Sequence, residues 1–97
     1  MMQRQGDLLI IKVKEVPNQA VHQDNLVLAE GEATGHFHKL DSGDVYEKNG
    51  TLYFRVNENS TTVLEHPEHK TLSFDPGVYK VIRQREYEPN GWRIVSD

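Results

Sequence analysis

The amino-acid sequence predicts a small all-β domain, and three observations carry that reading. Apolar residues recur with period two in short runs, turn residues separate the runs, and no segment has an apolar stripe of 3.6-residue period and helical length. The expected architecture is a single domain over residues 1–97. It is a barrel or sandwich of about six to eight short, mostly antiparallel strands.

Gly6-Asp7 introduces the first expected strand, Leu8 to Lys14, in which Leu9, Ile11 and Val13 share one face and Lys12 and Lys14 the other. It begins buried on both sides and ends half exposed. Pro17-Asn18 breaks it. Gln19 to Asn25 is polar and irregular, with at most one helical turn between Asn18 and Asp24, and it leads into an apolar run from Leu26 to Ala29. Gly31 and Gly35 bracket Glu32-Ala33-Thr34, which predicts a bulge or a close backbone approach.

Asn49-Gly50 lies between two alternating runs and is the strongest short hairpin signal in the chain, a type I′ turn. The turn sets the register: Lys48 faces Thr51, Tyr46 faces Tyr53, and Asp44 faces Arg55, with Val45, Leu52, Phe54 and Val56 on the opposite face. Thr61 to Glu65 forms a strand ending before Pro67, and Thr71 to Phe74 alternates again up to the turn Asp75-Pro76-Gly77. Val78 to Glu88 is the longest candidate strand. Asn90-Gly91 then predicts a second hairpin pairing Glu88 with Arg93, Tyr87 with Ile94 and Glu86 with Val95.

Hydrophobic residues make up 36% of the chain, so the core is thin and an interface or a bound ion would help to hold it. The net charge is −4 with no basic stripe, which disfavours nucleic acid as a partner. The absence of cysteine excludes disulfides, thiolate metal sites and cysteine nucleophiles. Leu8 to Ile11 is too short for a signal peptide or a membrane span, which predicts a soluble intracellular protein with no membrane partner. Serines 42, 60, 73 and 96 lack a nucleophile elbow, and no phosphate-binding loop precedes a helix.

Four of the five histidines sit in two doublets, His36-Phe37-His38 and His66-Pro67-Glu68-His69. An i, i+2 pair on a strand puts both imidazoles on one face, and a second pair on a neighbouring segment would complete a first shell. His36, His38, His66 and His69 are therefore the candidate ligands of one divalent transition ion: zinc, nickel, manganese or iron. Glu32, Glu65 and Glu68 are candidates to support them or to fix their tautomers. Against this stands the plainer account of histidines on a solvated strand and loop. The doublets could also form a pH-sensitive element without metal.

Tyr46, Tyr53 and Arg55 on one face, with Trp92 at a hairpin end, are residue types enriched at binding hot spots. Arg83, Arg85 and Tyr87 share a strand face that reads more simply as a solvated hairpin, balanced by Glu86 and Glu88, than as an anion platform.

The motifs Gln5-Gly6-Asp7-Leu8-Leu9, Gly31-Glu32-Ala33-Thr34-Gly35-His36-Phe37-His38, His66 to His69, and Pro76-Gly77-Val78-Tyr79 through Gln84-Arg85-Glu86-Tyr87 span nearly the whole chain. In these the chain resembles a group of small uncharacterised proteins of bacterial and phage genomes. The resemblance implies one compact domain and attaches no activity. The expected location is cytoplasmic, or virion-associated for a phage-encoded member. A looser resemblance is to cupins, through His36-Phe37-His38 after a glycine. Glu47 follows nine residues on instead of three or four, and no histidine follows Pro76-Gly77.

Two expectations result. One is a metal-binding β-domain, with the ion either structural or carrying an open position for hydrolytic chemistry. The other is a non-enzymatic module of phage or mobile-element origin that binds a protein partner or assembles with itself through an edge strand.

Overall fold

In the computed structural model, which describes residues 2–30, 36–88 and 91–94 with side chains through 84, every regular element is a strand. In chain order they are β1 (Met2–Gln5), β2 (Leu8–Val13), β3 (Val21–Gln23), β4 (Val27–Glu30), β5 (Phe37–Leu40), β6 (Asp44–Lys48), β7 (Thr51–Val56), β8 (Thr62–His66), β9 (His69–Phe74), β10 (Gly77–Arg83), β11 (Arg85–Glu88) and β12 (Gly91–Ile94). A six-stranded antiparallel sheet runs β1-β2-β10-β7-β6-β3, and a four-stranded one runs β4-β5-β8-β9. The hairpin β11-β12 stands apart from both. The larger sheet ends in edge strands β1 and β3, so it does not close into a barrel among the described residues. No helix among them is long and apolar enough to cross a membrane.

The twelve strands among the described residues exceed the six to eight expected, for two physical reasons. The polar strands β1 and β3 are edge strands, which need no apolar alternation; β3 pairs with β6 where a helical turn was expected. The long strand expected over Val78 to Glu88 is interrupted at Gln84, whose backbone N–H leaves the ladder and donates to the Asp7 carbonyl at 2.7 Å.

The hairpin at Asn49-Gly50 has the expected register, with Asp44 opposite Arg55, Tyr46 opposite Tyr53 and Lys48 opposite Thr51. Asn49 and Gly50 have φ of 52° and 82°, the pair of positive values a type I′ turn requires. The second hairpin differs from expectation. Glu88 pairs with Gly91, Tyr87 with Trp92 and Glu86 with Arg93, so Gly91 is a ladder residue and not part of the turn. The displacement is two residues, and Glu86 takes the place of Glu88 opposite Arg93 in the ladder.

Both sheets contribute to one core. Leu8 and Ile10 of β2, Val45, Phe54 and Val56 of β6 and β7, and Tyr79 and Val81 of β10 meet Leu28, Leu40, Leu64 and Phe74 of the smaller sheet. Phe54, Phe74 and Tyr79 form a ring trio with centroids 5.0–5.2 Å apart, and the Tyr79 hydroxyl donates to the Asp75 carbonyl. In β2 the residues facing this core are Leu8 and Ile10, while Leu9, Ile11 and Val13 are half-buried on the other side. The two sheets are also joined edge to edge by glutamines of β1. Gln3 donates to the Ser73 carbonyl of β9, and the Gln5 amide nitrogen donates to both Leu64 and Lys70 carbonyls at 2.8 and 2.9 Å. The histidines lie at this junction.

Candidate functional site

Strand alternation and one tight turn position the imidazoles. In β5 the exposed Phe37 and Lys39 flank His38, which is thereby turned inward and fully buried. His66 ends β8 and His69 begins β9, and they pair directly across the turn Pro67-Glu68. The backbone pairing puts both side chains on one face. The ring centroids of His38 and His66 are 4.4 Å apart, those of His66 and His69 4.5 Å, and those of His38 and His69 5.9 Å. His36, just before β5 and partly exposed, places its ring 5.7 Å from His66. The two doublets, about thirty residues apart in sequence, thus bring their imidazoles into ring contact.

The β1-β2 turn supplies the rest of the site. Gly6 has φ of 57°, and a Cβ built on it would lie 2.9 Å from His69 Nε2 and 3.1 Å from His38 Cε1. A side chain has no room there: the bare backbone of Gly6 is the floor between the two rings. Gln5 fixes the tautomer of His38. Both hydrogens of its amide are committed to main-chain carbonyls, so the atom 2.9 Å from His38 Nδ1 is the amide oxygen, and Nδ1 must donate to it. Neutral His38 therefore carries its lone pair on Nε2. His66 has the opposite arrangement. The Glu68 backbone N–H donates to its Nδ1 at 3.1 Å, which leaves the ring proton on Nε2.

Asp7 is fully buried beside these rings. Its Oδ2 accepts from Arg83 Nε at 2.9 Å, and its Oδ1 faces His38 Nε2 at 3.6 Å, too far for a hydrogen bond. Burial, and then the neighbouring His66, push the His38 pKa from 6.5 down to about 4 against the opposing pull of Asp7. At neutral pH the lone pair of His38 Nε2 therefore faces Asp7 Oδ1. Among the described residues neither Asp7 Oδ1 nor His38 Nε2 has a hydrogen-bond partner, and neither does the buried Nε2 of His69. As the side chains stand, no group of three or more His, Cys, Asp or Glu among the described residues is disposed to hold a metal ion.

The other residues singled out from sequence are placed as follows. Glu68 lies 3.4 Å from His36 Nδ1 through its carboxylate, and its backbone serves His66. Glu65 alternates to the side opposite Leu64 and His66 and is exposed, opposite Lys39. Glu32, and with it the bulge expected between Gly31 and Gly35, lies outside the described residues. Tyr46 and Tyr53 are cross-strand neighbours, and Arg55 donates to the Tyr46 hydroxyl with its guanidinium 5.5 Å from that ring. Trp92 pairs with Tyr87 in the β11-β12 ladder, and its side chain lies outside those described. His22, away from both doublets, contacts Asp44 and Tyr46 instead. Arg83 is turned to Asp7 and to the Glu30 carbonyl. The residues sequence reasoning left out of the site are Gln5, Asp7 and Arg83. The signal was the Gln5-Gly6-Asp7 turn, read as the start of a strand and as a motif of the resemblance but not as part of the site.

Fold and site together define a small all-β domain with a buried imidazole and carboxylate site at the meeting of two antiparallel sheets. The family model described as a domain of unknown function, DUF8820, matches residues 4–84, and the chain belongs to that family. The match takes in Gln5, Asp7, both histidine doublets and Arg83. No curated protein and no solved structure matches the chain significantly.

Proposed function

We propose that this chain is a binding domain for one divalent transition ion, held by His38 Nε2, Asp7 Oδ1 and His69 Nε2, with His36 and His66 adjoining. The observation that carries the reading is the facing pair of acceptors. Two ligand atoms each about 2.0–2.1 Å from a tetrahedral ion lie about 3.3 Å apart, and His38 Nε2 and Asp7 Oδ1 are 3.6 Å apart. Burying two acceptors against each other is costly unless a cation or a donor lies between them. Gln5 supports His38 in the way that partners of metal-bound imidazoles do, by accepting its far N–H. Binding asks the His69 ring, 5.9 Å from that of His38, to swing toward it. The donor set of imidazole and carboxylate suits zinc, nickel, manganese or iron.

Metal analysis of protein purified without a His tag from metal-supplemented growth tests this. The reading expects about one equivalent, and less than about a tenth of an equivalent overturns it in favour of a bridging water.

A second reading, an interaction or self-assembly module of phage or mobile-element origin, is favoured by a separate observation. The edge strand β3 of the larger sheet exposes the apolar Val21, and Met2 at the start of β1 is exposed as well. A monomer by light scattering at high concentration removes self-assembly. The lack of cysteine fits a cytoplasmic setting for either reading.

A further inference from the structure

Directly opposite residues of antiparallel neighbours share a face. The register of the larger sheet therefore carries one row, Met2-Ile11-Lys80-Tyr53-Tyr46-His22, across all six strands on the side away from the core. Leu9, Val13, Val78 and Ile82 lie on that same side of β2 and β10. Leu9, Ile11, Val13 and Ile82 are half-buried and Val78 is buried, yet none of them joins the shared core. They form a separate apolar patch. The smaller sheet packs on the opposite side and the β11-β12 hairpin is in neither sheet, so among the described residues no second layer lies over this patch. A sheet that is apolar on both faces needs a layer on each.

The charge of this side is opposite to that of the chain. Arg4, Lys48, Arg55 and Lys80 lie on it, and among its strand residues Asp44 is the one acid, whereas the whole chain carries −4. Asp44 is turned to His22, and Arg4 and Lys80 have no ion pair among the described residues. Resting on the interaction-module reading, we infer that this side is the docking face for an acidic, apolar segment of a partner protein. Its apolar side chains would lie on Ile11 and Ile82, and its carboxylates against Arg4 and Lys80. Two copies paired through this face would instead set like charges together. A single-stranded nucleic acid needs free rings to stack on, and the Tyr46 ring is engaged by the Arg55 guanidinium at 5.5 Å and the His22 ring at 5.4 Å.

A random peptide library displayed on phage, selected on the full chain and counter-selected on Lys80→Glu, tests the inference. Enriched peptides should combine Asp or Glu with large apolar residues, and amide shifts on their addition should fall on β2, β7 and β10. Their affinity, read by fluorescence anisotropy, should drop at least about tenfold in Lys80→Glu and in Arg4→Glu, and should weaken with added salt. Circular dichroism verifies that the variants are folded, and either one alone carries the comparison. Enriched peptides that are not acidic, or that bind both variants as tightly as wild type, overturn the inference while the interaction reading stands. A selection that enriches no specific peptide overturns both. Oligothymidine bound in preference to the peptides assigns the face to a nucleic acid, and light scattering that shows dimers altered by Lys80→Glu assigns it to a second copy. Either result overturns the inference.

Discussion

Gln5 is the residue on which the site's geometry turns, because all of its side-chain hydrogen-bonding groups are engaged across the sheet junction. Its nitrogen holds the Leu64 and Lys70 carbonyls and its oxygen holds His38 Nδ1. Gln5→Leu keeps the bulk but strands three polar partners, the Leu64 and Lys70 carbonyls and His38 Nδ1–H. It should destabilise the fold by about 2–4 kcal/mol in urea unfolding and weaken zinc about 10–100-fold by calorimetry. His38 gives the second prediction at this scale. Unfolded, it takes a proton near 6.5, while in the fold it does so only near about 4. Between those values the unfolded chain binds more protons, so stability rises with pH there. The metal-free protein should therefore be fully stabilised above about pH 6.5 and lose melting temperature progressively as pH falls toward 4. A His38→Gln variant should have a flatter profile over that window.

Among the elements, the β6-β7 hairpin was the most legible part of the chain, since its turn chemistry and its alternation specify the same register. Gly50 has φ of 82°, and a Cβ there would meet nothing within 4 Å among the described residues, so the cost of a side chain is one of backbone conformation alone. Gly50→Val should cost about 1–3 kcal/mol, and an unchanged midpoint in thermal unfolding would contradict the type I′ geometry. The β11-β12 hairpin was legible as a hairpin but not in register, because Asn90-Gly91 permits a turn without dictating which residues pair. Strands β1 and β3 left no trace in the apolar pattern, since an edge strand is specified by its neighbour's free N–H and C=O groups. The break at Gln84 was equally hidden: it depends on the carbonyl of Asp7, far away in sequence.

For the whole molecule, the site belongs to neither sheet. His38, His66 and His69 come from the smaller sheet, while Gln5, Gly6 and Asp7 form the β1-β2 turn of the larger one, and Arg83 at the end of β10 anchors Asp7. The histidine doublets were visible in the sequence because strand period and a two-residue turn are local rules. The glutamine, the carboxylate and the arginine were not, because a separation of 76 residues between Arg83 and Asp7 is closed only by the sheet order. An ion in this position would tie the two sheets together, and ligand binding stabilises a fold by mass action, about 2.7 kcal/mol at a hundredfold excess over Kd. Excess zinc should therefore raise the melting temperature of the wild type by several degrees, leave the shift intact in His22→Ala, and lose it in Asp7→Asn.

The most direct measurement is anomalous diffraction at the zinc edge from crystals of the zinc-loaded protein. An ion between the facing acceptors predicts one peak about 2.0–2.2 Å from both His38 Nε2 and Asp7 Oδ1, with His69 drawn in as a third ligand. A zinc-loaded crystal with no anomalous peak at that point, or with peaks only at surface histidines such as His22, would contradict it.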